Sequence, residues 1–255
     1  MNGVTELARQ FLGLLEDSGC TAVLTGAGVS TASGIPDFRS TGGLYSRISQ
    51  ETFEIAAFYK DPLRYYRTAI EHIHCLADKS PNATHRMLAR LEQLGLIEAV
   101  VTQNIDRLHL KAGSRKVLEF HGDVLSFYCT GCGQSSDRNT VEASVTAGSV
   151  PRCPDCGALI RPGITFYGDP IQPDVLEASF DLAERAGVFV VMGSSLNVNP
   201  AAALAGIAAQ NGARLEIVNL APTPYDRIAD AVWPVDLESF SEAVLEALLT
   251  NPRQD

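Results

Sequence analysis

Residues 21–39 read TAVLTGAGVSTASGIPDFR. Five residues, TAVLT, form an apolar run that halts at Gly26, the pattern of a strand buried on both faces that feeds a tight turn. Gly26 and Gly28 lack side chains, so backbone N–H groups there can approach a phosphate. The third glycine of a G-x-G-x-x-G fingerprint is missing, since Thr31 occupies its place. Taken alone, the block is equally a phosphate-binding turn and a purely structural one.

Working outward, the same grammar recurs three times. IEAVVT ends in Gln103-Asn104, GVFVVM in Gly193-Ser194-Ser195, and RLEIV in Asn219. Helical spacing lies between these runs: Val4, Leu7, Ala8, Phe11, Leu14 and Leu15, closed by Gly19, and then Asn82 to Leu94, flanked by Pro81 and Gly95. Asn199-Pro200 reads as an N-cap with a first-turn proline, and Asp236 to Leu249 as a final amphipathic helix. Apolar strands alternating with helices predict an α/β fold with a doubly wound parallel sheet of Rossmann-like type. Ligands of such sheets sit beyond the carboxyl ends of the strands, where these four polar strand ends would converge. Two stretches break the rhythm: 41–79 is aromatic-rich and helical in pattern, and 123–164 holds paired cysteines with few strand signals. The expected division is therefore a large domain of residues 1–40, 80–122 and 165–255, with 41–79 and 123–164 forming a smaller inserted helical and zinc-binding domain.

With 255 residues, 45% of them hydrophobic, the chain can bury a sizeable core. A net charge of -10 argues against nucleic acid or an anionic membrane as partner, because phosphate binders need excess Lys and Arg. The acidic surface suits basic partners, and it also serves solubility. The N-terminus lacks the basic and apolar regions of a signal peptide, and no apolar run is long enough to span a bilayer. Most of the six cysteines stand in pairs, which indicates metal rather than disulfides and a reducing, cytoplasmic setting.

Cys129-Thr-Gly-Cys132 and Cys153-Pro-Asp-Cys156 are two C-x-x-C pairs, each followed by glycine (Gly133, Gly157). Two such knuckles brought face to face supply the four thiolates of a tetrahedral zinc site. A closed four-thiolate shell leaves no open position, so this zinc is expected to be structural. Cys20 and Cys75 are isolated and read as small buried hydrophobes.

The full block GAGVSTASGIPDFRS, residues 26–40, resembles the signature loop of the sirtuin family. PNATH (81–85), TQNID (102–106), LEFHG (118–122), both C-x-x-C pairs, GSSL (193–196) and VNL (218–220) follow in the family's order. The resemblance spans roughly residues 20 to 240. It implies an NAD-dependent protein-lysine deacylase, most simply a deacetylase, that releases nicotinamide and O-acyl-ADP-ribose. Carried over residue by residue, Gly26, Ala27 and Gly28 meet the pyrophosphate. Asp37, Phe38 and Arg39 belong to the loop beside the nicotinamide. Gln103 lies on the ribose, while Asn104, Ile105 and Asp106 form the nicotinamide pocket. Gly193, Ser194 and Ser195 contact phosphate and ribose, Asn219 and Leu220 the adenosine ribose, and Asp236 and Leu237 border the adenine. Asn104, Asp106 and His121 make up the catalytic set. In the family mechanism the acyl carbonyl oxygen attacks the ribose carbon, and a base then deprotonates a ribose hydroxyl.

A base working near neutral pH suggests histidine. His72 and His74 lie in a helical stretch and His85 at a helix start, all with packing or solvent roles. His109 and His121 both follow strands near the crevice, and spacing does not choose between them. The resemblance of LEFHG assigns the base to His121. It also implies that an acyl-lysine peptide adds as a strand along Thr165, Phe166, Tyr167 and Gly168. Three positions depart from the family pattern: Arg107 stands where Gly is usual, Thr165 where Val is usual, and Tyr167 where Phe is usual. Relatives that take succinyl or malonyl groups carry a Tyr-x-x-Arg pair, and Leu63-Arg64-Tyr65-Tyr66-Arg67-Thr68-Ala69 contains none. Neutral acyl groups are the expectation. The alternatives are ADP-ribosyl transfer to protein, NAD hydrolysis, and a non-enzymatic NAD-sensing module.

Overall fold

Each of the four apolar runs is a strand, and they share one parallel sheet. The structure, a computed structural model, describes residues 3–38 and 42–250. In chain order the elements are α1 (Gly3–Glu16), β1 (Thr21–Thr25), α2 (Ile55–Lys60), α3 (Pro62–His72), α4 (Ala83–Gln93), β2 (Ala99–Thr102), α5 (Leu108–Ala112) and β3 (Val117–Glu119). There follow β4 (Gly122–Cys129), β5 (Ser135–Ser136), α6 (Arg138–Thr146), β6 (Ile160–Ile164), α7 (Pro173–Arg185), β7 (Val188–Met192), α8 (Ala203–Gln210), β8 (Arg214–Val218), β9 (Ala231–Trp233) and α9 (Leu237–Thr250).

The six-stranded sheet has the order β3-β2-β1-β7-β8-β9, and every pairing in it is parallel. Winding runs outward from β1 to β3, then resumes from β7 on the other side of β1. The doubly wound α/β class follows, with its switch point between β1 and β7. Every residue of β1 and β7 is buried, which explains why apolar residues run through both strands rather than alternating with exposed polar ones. One face is covered by α1, α4 and α9, around Phe11, Leu88 and Phe240. On the other, α7 and α8 close over Leu182, Phe189 and Leu204. β3 and β9 are short edge strands with weak apolar signals, and the sequence pattern did not mark them.

Residues 35–77 share a further apolar cluster with segments of 105–166, including Phe58, Tyr66, Phe127 and Phe166. The stretch with few strand signals contains a three-stranded sheet of order β5-β4-β6, antiparallel in both pairings, and helix α6 besides. Its strands were not legible because β4 alternates irregularly, with a register shift between Gly122 and Phe127. The Tyr66 hydroxyl donates to the Ile160 carbonyl at 2.8 Å, fastening α3 to β6.

One local expectation is corrected. Asn199 does not cap a helix: α8 begins only at Ala203, after turns closed by Ala203 N–H to the Pro200 carbonyl (3.1 Å) and Leu204 N–H to the Ala201 carbonyl (3.2 Å). These tight turns occupy the residues that a helix capped at Asn199 would have needed. The start of α4, by contrast, is a capping box in which Asn82 Oδ1 accepts from Thr84 and His85 N–H groups. The Asn82 amide also donates to the Val29 carbonyl at 2.7 Å, so this cap holds the glycine loop as well. Asn82→Ala removes both the helix cap and the hydrogen bond to the Val29 carbonyl. The expected cost is about 2–4 kcal/mol, readable as a lowered denaturation midpoint at unchanged denaturant slope.

Candidate functional site

The loops leaving β1 and β7 touch through backbone. Gly28 N–H donates to the Gly193 carbonyl at 2.8 Å, and Gly26 N–H to the Met192 carbonyl at 3.1 Å. A Cβ on Gly28 would sit 2.8 Å from Gly193 Cα, and one on Gly193, whose φ is +61°, 2.6 Å from Val29 N. These glycines are required by loop-on-loop contact first. Their N–H groups are engaged by carbonyls, and Ala27 between them opens the helical turn Ala27–Ser33.

A cavity of about 460 Å³ opens beyond these strand ends. It is lined by Ala27, Gly28, Asp37, Phe38, Gln103, Asn104, Ile105 and His121, by Thr165, Phe166, Tyr167 and Gly168, and by Gly193, Ser194, Ser195 and Asn219. A second cavity of about 190 Å³ shares Ala27, Phe38, Asn104 and Ile105 with the first and adds Asp106. Gly26 lies beneath the lining, its Cβ position 2.8 Å from the Gly193 carbonyl oxygen. Leu220 is exposed, Asp236 accepts from Ser239 N–H at the start of α9, and the Leu237 carbonyl accepts from Thr84; none of these three lines either cavity. Arg39 falls outside the described residues. The lining also includes Asp169, Val198 and Asn199, which the sequence reading left out. Asn199 had been read as a helix cap, and its neighbourhood carries no motif of its own.

Asp106 is 3% exposed. Its Oδ2 accepts from the Ser30 hydroxyl at 2.7 Å and its Oδ1 from Leu108 N–H at 2.9 Å. Burial raises its carboxyl above the ordinary aspartate value, and the Ser30 hydrogen bond opposes this. The Asn104 amide donates to Ser30 Oγ and to the Gly26 carbonyl, both at 3.1 Å. Ser30 thus links the two residues. Sequence reading missed it because a serine inside the glycine loop resembles any turn serine.

His121 Nδ1 lies 2.9 Å from the Gln103 carbonyl. A carbonyl only accepts, so Nδ1 carries the proton and Nε2 remains basic. Burial holds the imidazole below its ordinary value, opposed by that hydrogen bond, which keeps the ring neutral at neutral pH. His109, the other histidine left open by spacing, lies in α5, 1% exposed, with Nε2 3.0 Å from Thr25 Oγ1. It lines neither cavity. His85 sits against it with ring centroids 4.8 Å apart, and burial pushes His85 down to about 2. His74 is buried against Glu142, its Nδ1 2.7 Å from Oε1. Cys20 is only half-buried, with its thiol directed to Glu98 at 3.1 Å, so it is not the plain hydrophobe expected.

Sγ atoms of Cys129, Cys132, Cys153 and Cys156 all lie within 4.8 Å of one another. The Cys129–Cys156 and Cys132–Cys153 separations are 3.3 and 3.7 Å. Tetrahedral thiolates on zinc stand about 3.8 Å apart at bond lengths of about 2.3 Å, so the donor set fits this metal. Gly133 N–H closes one knuckle on the Cys129 carbonyl and Gly157 N–H the other on that of Cys153, each glycine at positive φ. The amides of Cys132 and Gly131 hold the Cys129 thiol down to about 6, toward the thiolate a metal needs.

The family model described as "Sir2 family" matches residues 26–200. The chain belongs to the Sir2 family. It is 47% identical over 238 residues to the NAD-dependent protein deacetylase of Thermotoga maritima, covering 93% of this chain and 97% of that protein. To the NAD-dependent protein deacylase of Aeropyrum pernix it is 40% identical over 252 residues, covering 97% and 98%. The solved structure of a Sir2 protein with p53 peptide and NAD+ superposes with a TM-score of 0.89 at 45% identity, covering 95% of this chain and 99% of that one. A Sir2 protein bound to a propionylated peptide gives 0.88 at 45% identity, over 95% and 99%.

For this sirtuin the thiolate geometry predicts about one tightly held zinc per chain. Cys153→Ala is expected to lose the metal and lower the thermal midpoint, since site formation is coupled to folding. Metal analysis beside a melting curve checks both.

Proposed function

We propose that this sirtuin is an NAD-dependent protein-lysine deacylase, acting first on acetyl-lysine, with His121 as general base. One observation carries the reading: a neutral imidazole, its Nδ1–H held by a backbone carbonyl, lines the same cavity as the glycine loop, Asn104 and Ser194. The names of the similar proteins and their NAD and acyl-peptide complexes support it.

When bound, NAD supplies the ribose carbon whose bond to nicotinamide is broken. The chain's residues divide the remaining work. Ala27 and Ser195 hold phosphate, while Gln103, donating to Ser194 Oγ at 3.1 Å, braces the ribose side. Asn104 and Asp106, joined through Ser30, orient the leaving carboxamide in the smaller cavity. Phe38, Tyr45 and Phe53 pack edge to face at 5.5 to 6.0 Å and keep water from the reacting carbon. His121 Nε2 accepts the ribose hydroxyl proton. Asn219 serves the adenosine ribose, with Leu220, Asp236 and Leu237 on the adenine side. The peptide lies along residues 165–168 as an added strand. Residues 1–40, 80–122 and 165–255 act as the NAD-binding domain, and 41–79 with 123–164 as the smaller one, a division supported by the separate apolar clusters. Basic protein partners, rather than nucleic acid or membrane, suit the net charge of -10. Among the described residues no helix is long and apolar enough to cross a membrane. The free, paired thiols support a reducing cytoplasm.

His121→Ala is expected to lower deacetylation on the order of a hundredfold or more, with fold and zinc content intact. Mass analysis of the product separates deacylation, which yields acylated ADP-ribose, from transfer to protein or plain hydrolysis. Acyl choice follows from charge. Tyr65 and Tyr66 are buried in apolar packing, Arg64 and Arg67 face solvent, and no Lys or Arg among the described residues lines the larger cavity. A buried acyl carboxylate would have no partner there. Catalytic efficiency on an acetyl peptide should exceed that on its succinyl counterpart by tenfold or more, roughly 1.4 kcal/mol; paired kinetics on one peptide sequence decide this.

A further inference from the structure

The segment that carries His121 is stitched to the 102–107 loop. Phe120 N–H donates to the Thr102 carbonyl at 2.9 Å, His121 Nδ1 to the Gln103 carbonyl at 2.9 Å, and Val124 N–H to the Ile105 carbonyl at 3.0 Å. The last stitch is a side chain. Arg107, next to Asp106, places Nε 3.5 Å from Glu119 Oε1 and Nη1 3.9 Å from Asp123 Oδ1. Those two carboxylates stand two residues before and two residues after His121.

Two details show that this contact is more than a solvated surface pair. Arg107 adopts φ 62°, a left-handed backbone that glycine takes freely and arginine does not. Glu119 Oε1 is buried without a hydrogen-bond partner, so the guanidinium is what compensates its charge. Asp123 is fixed separately, its Oδ1 accepting from Leu125 N–H at 2.7 Å and Ser126 N–H at 2.8 Å. Arg107 therefore pulls on one anchored acid and one unanchored acid.

We propose that Arg107 is a positioning residue for the base: by pairing with Glu119 and Asp123 on either side of His121, it locks the imidazole-bearing segment to the loop that carries Asn104 and Asp106. The inference rests on His121 being the base.

A consequence for pH follows. The charged groups acting on Glu119 are Arg107 at the start of α5, Asp123 from β4 and Asp106 from the loop after β2. Burial pushes Glu119 up to about 7; Arg107 opposes this, and the two aspartates add to it. Ionised Glu119 attracts Arg107 and protonated Glu119 does not, so the lock weakens as pH falls through that value. Without Arg107 there is no pair for Glu119 protonation to break, so that pH dependence disappears.

The test is kcat against pH, from about 5.5 to about 9, for the full chain with an acetyl-lysine peptide and saturating NAD. Arg107→Gly suits the backbone and removes only the side chain. It should lower kcat roughly tenfold near neutrality, leave the KM for NAD within about twofold, and flatten the part of the acid limb that the Arg107–Glu119 pair sets in the native chain. Arg107→Lys, which keeps the cation, should keep the limb in place. In a Glu119→Gln background, Arg107→Gly should have little further effect. An unchanged limb and normal kcat in Arg107→Gly overturn the proposal, as does a loss of the same size in the Glu119→Gln background. His121→Ala is measured alongside: if it is inactive while Arg107→Gly is normal, the lock alone fails, whereas an active His121→Ala overturns the base assignment and the lock together.

Discussion

Backbone contact between Gly28 and Gly193 is the constraint on which the rest of the site depends. Two loops leave neighbouring parallel strands at the switch point of the sheet and approach until the Gly28 N–H meets the Gly193 carbonyl at 2.8 Å. A side chain at either position would drive the loops apart. Keeping them together aligns Ala27 with Ser194 and Ser195 on one rim of the cavity. It also settles Ser30, one turn further on, against both Asn104 and Asp106. Asn82 reinforces the same loop from behind through the Val29 carbonyl.

Electrostatics in the pocket follow from burial combined with selective hydrogen bonding. His121 and Asp106 are both shifted toward their neutral forms by burial, yet each keeps a bond that favours the charged form, from the Gln103 carbonyl and the Ser30 hydroxyl respectively. Burial outweighs the opposing bond at both, so the net shift is downward for His121 and upward for Asp106. His85 and His109 show the contrasting outcome. Buried together, with no carboxylate hydrogen-bonded to either ring, they are pushed to about 2 and about 4 and serve as neutral packing.

The smaller layer completes the cavity rather than standing apart from it. Thr165 N–H donates to the His121 carbonyl at 2.8 Å, and Tyr167 exchanges backbone hydrogen bonds with Phe53 and Ile55. The segment on which the peptide is proposed to lie is thereby tied to His121 on one side and to the aromatic loop on the other. Four cysteine sulfurs gather within 4.8 Å of one another beside the paired β4 and β6, so a metal there would stabilise the wall of the cleft without taking part in its chemistry.

Several parts of this protein follow from local chemistry alone. The four short apolar runs that stop at Gly26, Gln103, Gly193 and Asn219 form parallel strands of one sheet, because both faces of such a strand must be covered. Two C-x-x-C knuckles carry their own turn geometry, so the thiolate cluster was legible from spacing. Asn104 and the glycine loop were legible as polar strand ends, whereas Asp106 was marked only by the resemblance of TQNID to the family motif. Local pattern could not choose between His109 and His121, since both follow strands; the fold separates them by turning His109 into α5 beneath the site and leaving His121 on the cavity wall. Asn199 and Ser30 gained their roles in the same way, from contacts with residues distant in sequence. Arg107 is the clearest case. In sequence it stands out only as a departure from the family's usual glycine; the pairing of β2 with β3 brings Glu119 within its reach, and the start of β4 brings Asp123. Sequence spacing records which residues can form an element, but burial and the approach of distant loops set protonation and reach, and those exist only once the chain has folded.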